Sequence, residues 1–405
     1  MEATTLRVAL VGGERFSPLY DRLSEFTTAT GIRVEVTEKL PSDALYQRLK
    51  DGTVEHDLVS LHDRYVPALA GRLLPLDDRL SSDEIESFEI EALAGCRYEN
   101  RLLALPRSVE TRLLFYRSDI FDDRREQQWF AEASEGRELR VPATWVDLAA
   151  IAQYFTRAGK MYGFSFPGQG PDLLALFLEI LVAAGGVGFD PDGAPRFYTR
   201  AGEWALNLLR DLCLRWEAAP PETPEYTPED VSEAFRMGRC AMVVDTPDTA
   251  RLLSDPSFSA VAGWHSVATV PGGEGGRAVW SGCPAFAIPA GTRQPNAALE
   301  LLRFLTDTES QLREAKYGAL PTRLEARDLA RERARPGTLG HLRFSLAEQT
   351  LRSVPLRPPH IPAWGAIETA VWPFLRLALT GEQEPAEALR LAADAAEQAR
   401  AASGV

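Results

Sequence analysis

Hydrophobic positions along this chain switch repeatedly between strand-like alternation and helical spacing. Leu6-Arg7-Val8-Ala9-Leu10-Val11 is a β-rich run that ends at Gly12-Gly13. From Ser17 the spacing becomes helical: Leu19, Leu23 and Phe26 share a face, Pro18 suits a first helical position, and Gly31 stands past the end. Ile32-Arg33-Val34-Glu35-Val36 then alternates as a second strand. This order predicts a β-α-β unit, whose parallel strands need the helical crossover.

The alternation continues with a helix over 45–49, a strand over 57–61, a short helix over 65–70, and strands over 102–106 and 113–116. Thr144-Trp145-Val146-Asp147 resembles a capping box and predicts the start of a helix over 148–158. A second α/β segment follows, with a strand over 162–166, a buried helix over 173–184 and an amphipathic helix over 204–216. Residues 218–228, rich in proline and glutamate, read as an exposed connector. Thr227-Pro228-Glu229-Asp230 caps a helix running through Phe235, and Cys240 to Val244 reads as a buried strand. Pro271 to Gly276 reads as a flexible turn, followed by a strand over 285–289 and helices over 297–305, 368–379 and 385–400. The pattern indicates open α/β sheets, without internal repeat or heptad array.

A chain of 405 residues suits two domains, and 45% hydrophobic with 25% charged residues is the balance of a folded protein. The net charge of −14 would repel a phosphate backbone or an anionic membrane, so a nucleic-acid partner is not expected. Cys96, Cys213, Cys240 and Cys283 lie far apart with no zinc-like spacing, so no metal site is expected. A Cys213–Cys240 disulfide and buried thiols both remain open readings. No basic-then-apolar leader precedes the first strand, and the apolar run over 173–187 is short and broken by glycine.

Several local motifs occur in a telling order. His56-Asp57-Leu58-Val59-Ser60-Leu61-His62-Asp63 is followed by Leu73-Leu74-Pro75-Leu76-Asp77. Tyr98 to Pro106 is followed by Leu114-Phe115-Tyr116-Arg117-Ser118-Asp119-Ile120-Phe121. Later come Tyr162-Gly163-Phe164, Gly185-Gly186, Ala234 to Met242, Phe304 to Gln311, and Gly318-Ala319-Leu320-Pro321-Thr322-Arg323. In this order the chain resembles the family 1 extracellular solute-binding proteins, the maltose-binding class, along almost its whole length. One departure is Ser281-Gly282-Cys283, where the family usually has glycine-glycine-tryptophan; Trp280 lies beside it.

The resemblance implies a two-lobed periplasmic-binding-protein-like α/β fold, each lobe an open mixed sheet flanked by helices, with the ligand in a cleft between lobes. The expected lobes are 1–112 with 270–318 and 117–267 with 323–405, with hinges near 113–116, 267–271 and 318–323. It further implies the solute-binding subunit of an ABC importer. Such a subunit would be a monomer without cofactor that captures a small carbohydrate and passes it to a membrane permease. Its location would be extracytoplasmic, in the periplasm or as a cell-surface lipoprotein, with the export signal absent from this chain.

A sugar receptor needs aromatic platforms for C–H faces and bidentate donors and acceptors for hydroxyls. Trp364, after a proline-rich loop, aligns with an aromatic of the family's cleft; otherwise it is a core tryptophan. Glu14 and Arg15 follow the first strand and either face the crevice or form a solvated pair. His62 and Asp63 end the third strand, Asp63 being the better acceptor. Glu110 and Thr111 precede the first hinge, where hinge hydrogen bonding is the alternative. Phe166, Gln169 and Asp172 lie after the first strand of the second lobe, Gln169 as a polar contact and Phe166 equally as core. Asp245 either meets ligand or caps a helix. Trp280, Ser281, Gly282 and Arg323 complete the set, with structural pairing the alternative for Arg323.

Three rivals stand beside this reading. An enzyme is disfavoured by the lack of a nucleophile elbow, P-loop, dinucleotide fingerprint or metalloprotease helix, although paired carboxylates leave a glycosidase open. A sensory protein would keep the fold and change the role. Polyamines, phosphorylated polyols or metal chelates would keep transport and change the ligand.

Overall fold

The computed structural model describes residues 4–13, 16–52, 55–157, 160–353 and 355–403. Glu14 and Arg15 lie outside the described residues. The chain forms two compact units: Met1–Glu110, Ser281–Phe344 and His360–Gly365 make unit 1, and Thr111–Trp280, Ser345–Pro359 and Ala366–Val405 make unit 2.

Among the described residues the two main sheets are built from β1 (Thr5–Val11), β2 (Arg33–Leu40), β3 (Leu58–His62), β4 (Leu105–Pro106), β5 (Leu113–Arg117), β6 (Tyr162–Ser165), β7 (Cys240–Asp245), β8 (His265–Ala268) and β9 (Pro284–Ala287). Unit 1 has the order β2-β1-β3-β9-β4. Its first three strands are parallel, as the crossover pattern requires, and β9 runs antiparallel to both β3 and β4. All five residues of β3 are buried, which fits a central strand covered on both faces.

The helical run expected from Ser17 is divided into Ser17–Tyr20 and Leu23–Thr30. At the break, Arg22 turns its guanidinium onto Asp307 (2.7 Å) and Ser310 (2.6 Å) and lies over the Phe304 ring. Gly31 ends the second helix with φ 75°, where any side chain would be strained.

Unit 2 has the order β8-β5-β7-β6, with β6 parallel to β7 and the other pairs antiparallel. Thr144 caps the helix Trp145–Phe155 by accepting the Asp147 N–H. A full capping box joins Thr227 and Asp230 at the start of Pro228–Arg236. The helix Pro171–Ala183 is buried on almost every face.

Two expectations need correction. The connector over 218–228 is not wholly exposed, because Ala218, Ala219 and Thr223 are buried. β6 is an edge strand, and the connector covers it: the Ala218 carbonyl accepts the N–H groups of Gly163 and Phe164 at 3.0 and 3.1 Å. The turn from Pro271 is held, not loose. Gly275 donates to the Ala183 carbonyl at 2.9 Å, and a Cβ on Gly275 would lie 2.1 Å from the Gly185 nitrogen. Among the described residues no disulfide forms, and Cys213 and Cys240 stand as thiols with pKa values pushed up by burial, Cys213 to about 12. No described helix is long and apolar enough to cross a membrane.

Candidate functional site

In unit 1, β3 delivers His62 and Asp63 to the carboxyl end of the sheet, where a tight turn over Asp63–Tyr65 begins. The imidazole Nδ1 lies 2.7 Å from Asp63 Oδ1, and Nε2 lies 3.3 Å from Glu110 Oε2. The His62 and Asp63 side chains are 6% and 8% exposed, whereas Glu110 is 34% exposed. His62 and Asp63 are therefore interior, and Glu110 offers its carboxylate outward.

Gly282 completes this cluster. The Glu110 N–H donates to the Gly282 carbonyl at 2.8 Å, and the reverse bond is 3.3 Å. A Cβ at Gly282 would lie 2.3 Å from His62 Cε1 and 3.1 Å from Asp63 Oδ1. Only glycine lets this backbone pass so close to the imidazole. Ser281 beside it is fully buried. Tyr65, next along the turn, meets His62 in a T-shaped arrangement and stacks on Tyr46 with centroids 4.2 Å apart.

Unit 2 holds a second polar group, centred on Arg112. This guanidinium lies 2.5 Å from Asp172 Oδ1 and 3.8 Å from Glu179 Oε2. Glu179 Oε1 accepts the backbone N–H of Trp280 at 2.7 Å. Burial drives the Glu179 pKa up to about 7, against the opposing pull of Arg112 and the Trp280 N–H. Thr111, also fully buried, stands at the first residue of this unit.

The structure thus brings together His62, Asp63, Glu110 and Gly282, and in the other unit Asp172 and Trp280. The remaining expected residues are engaged elsewhere. Phe166 is 1% exposed and stacks on Phe164, so it belongs to the core. Gln169 spends its amide N–H on the Glu225 carbonyl. Asp245 accepts the Thr246 N–H at 2.7 Å. Arg323 is a structural staple: it donates to the Thr306 carbonyl at 2.5 Å and the Ser87 hydroxyl at 2.6 Å and lies over the Phe88 ring. Trp364 opens the helix Trp364–Leu379 with its indole fully buried.

Sequence reasoning missed Arg112 and Glu179. The signal was present, since Glu179 is a single acid in the middle of Leu173-Leu174-Ala175-Leu176-Phe177-Leu178-Glu179-Ile180-Leu181. A charge in such a helix demands a buried partner.

In unit 1 the cluster counts two carboxylates to one imidazole. It can accept hydrogen bonds from hydroxyl or ammonium groups, and it disfavours an anion at Glu110. Among the described residues no group of three His, Cys, Asp or Glu side chains could hold a metal ion.

Residues 13–312 match the family model described as bacterial extracellular solute-binding protein. A probable ABC transporter-binding protein of Deinococcus radiodurans is 27% identical over 282 residues, 67% of this chain and 63% of that protein. The match therefore spans less than two thirds of the Deinococcus protein. A mannitol-binding protein of Pseudomonas aeruginosa is 27% identical over 316 residues, 74% of this chain and 69% of that one. Among solved structures, maltose-bound MalE3 of T. maritima superposes with a TM-score of 0.85 at 22% identity, covering 98% of this chain and 99% of that chain. A solute-binding protein of Agrobacterium vitis with bound D-mannitol gives 0.80 at 22% identity, covering 99% of each chain. At such identities the likeness establishes the fold, the α/β fold of two-lobed sugar-binding proteins.

Proposed function

The chain belongs to the family of bacterial extracellular solute-binding proteins, and from that premise we propose that it is the ligand-capturing subunit of an ABC importer for a neutral polyhydroxylated solute, a sugar or sugar alcohol. It works outside the cytoplasmic membrane as a monomer, hands its ligand to a permease and catalyses no reaction. The observation that carries the ligand class is the Glu110 carboxylate, one third exposed and held by His62 beside the buried Asp63. Fixed carboxylate oxygens suit the hydroxyl hydrogens of a sugar or polyol, with which they form short, charge-assisted bonds. The mannitol-binding relative points to the same ligand class.

A polyamine is the second reading, because the same acidic cluster and the net charge of −14 suit a cation. A thermal-shift screen against D-mannitol, ribitol, maltose, putrescine and glycerol 3-phosphate separates the two. Any ligand selective for the folded state raises the melting temperature. A rise with a polyol or sugar supports the proposal; a rise with putrescine alone replaces the solute class and keeps the transport role. If none of the five shifts the transition, the polyol reading is lost.

A further inference from the structure

His62 faces carboxylates on both ring nitrogens: Asp63 at 2.7 Å from Nδ1 and Glu110 at 3.3 Å from Nε2. A neutral imidazole carries one N–H, so it would turn a lone pair toward one of the two acids. Only the imidazolium donates to both. The Arg64 N–H also approaches Nδ1, but at 3.5 Å it lies at the limit of a hydrogen bond, and the far shorter contact with Asp63 makes Nδ1 a donor. Gly282 backs directly onto Cε1 and closes that side of the ring.

We propose that His62 is a positioning residue, an imidazolium clamp that fixes the Glu110 carboxylate for ligand hydroxyls, so that ligand affinity falls when the clamp loses its proton. This rests on the polyol-binding reading of the cluster. The groups around the ring are Asp63 and Arg64 on its own turn, the Tyr65 ring, and Glu110, whose backbone pairs with Gly282. Burial, the largest influence, and Arg64 both lower the His62 pKa; Asp63 and Glu110 outweigh them, and the net direction is upward. With a folded pKa above the unfolded value, the clamp is closed below about pH 6.5 and opens as pH rises through the folded value. Deprotonation leaves two carboxylates without the charge between them and removes a donor that orients Glu110.

The test uses the full chain labelled with 15N-histidine. His62 is assigned by the signal missing from His62→Gln, and its ring nitrogens are titrated between about pH 5 and pH 9. Calorimetry with D-mannitol and maltose runs over the same range. Both ring nitrogens of His62 should be protonated at about pH 6, with a midpoint above that of free histidine, and Glu110→Gln should lower that midpoint. Affinity should fall about tenfold above the midpoint, and His62→Gln should bind about tenfold more weakly with a flat pH profile, as loss of one charge-assisted bond implies. A His62 with one bare nitrogen at about pH 6 overturns the clamp whatever the ligand. An affinity independent of pH in the wild-type protein overturns its role in binding. Absence of heat with both probes overturns the polyol reading itself, while the nitrogen titration still decides the state of the clamp.

Discussion

The buried carboxylate of Glu179 accepts the backbone N–H of Trp280 at 2.7 Å, while the guanidinium of Arg112 lies 3.8 Å from its other oxygen. Trp280 is the last residue before the chain leaves unit 2, and Arg112 is the second residue after it enters. Glu179, the one acid in the apolar run from Leu173 to Leu181, therefore meets both ends of that segment, with Asp172 on the first turn of the same helix as the nearer partner of Arg112.

Glu179 should make stability depend on pH. Its folded pKa of about 7 lies above the ordinary value of 4.5, so its contribution is full below about pH 4.5 and is lost as pH rises through 7. Glu179→Gln keeps an acceptor for Trp280 and removes the ionisation. The variant should gain up to about 3 kcal/mol over wild type at pH 8, and the two should converge near pH 5. Urea unfolding at the two pH values checks this.

Gly282→Ala should loosen the unit 1 cluster. Its Cβ would lie 2.3 Å from His62 Cε1. Either the imidazole or the Glu110–Gly282 pairing must shift, at an expected cost of about 1–3 kcal/mol, as for an overpacked core. Affinity for the solute should fall more than the melting temperature suggests, which calorimetry beside a thermal scan will separate.

Arg107 and Glu314 form a buried pair in unit 1, with Nε 2.8 Å from Oε1 and 3.1 Å from Oε2, the side chains 3% and 8% exposed. Glu314→Ala leaves the guanidinium without its acid and should cost about 3–5 kcal/mol. Replacing Arg107 by Met together with Glu314 by Leu should recover much of that loss. Denaturant midpoints of the single and double variants test the pair.

Trp364→Ala should lower the melting temperature with or without solute. The fully buried indole makes truncation a cavity-forming change, worth about 3–5 kcal/mol. Trp364→Phe should be milder. If Trp364→Ala instead leaves the ligand-free melting temperature unchanged, the indole is not a core group.

Features set by neighbours in sequence were legible. The threonine caps at Thr144 and Thr227 and the left-handed Gly31 follow from residues three or four positions away, so local spacing suffices. The candidate site was legible only in part. His62 and Asp63 could be placed at a strand end, and Glu110 before the next long strand. Nothing local indicated that Gly282 would back onto His62, because that contact depends on β9 pairing with β3 across most of the chain. Sequence left the aromatic residues open for a related reason. Phe166 follows a strand and Trp364 a proline-rich loop, positions shared by exposed platforms and by core residues; tertiary burial decides, and it buries both.

The antiparallel insertion of β9 between β3 and β4 also has a consequence for synthesis. The strands of the four-stranded sheet, β5 to β8, are consecutive in the chain and can pair as soon as His265 to Ala268 has emerged. The five-stranded sheet cannot close at that moment. Its β1, β2 and β3 leave the ribosome first, yet the edge of β3 waits for a strand made after the whole second sheet. During that interval a hydrophobic strand edge is open to mispairing. The strands β1 to β3, made before those of the second sheet, are thus the later to be built into a complete sheet, and a nascent chain halted before Pro284 should need a chaperone that the finished protein does not.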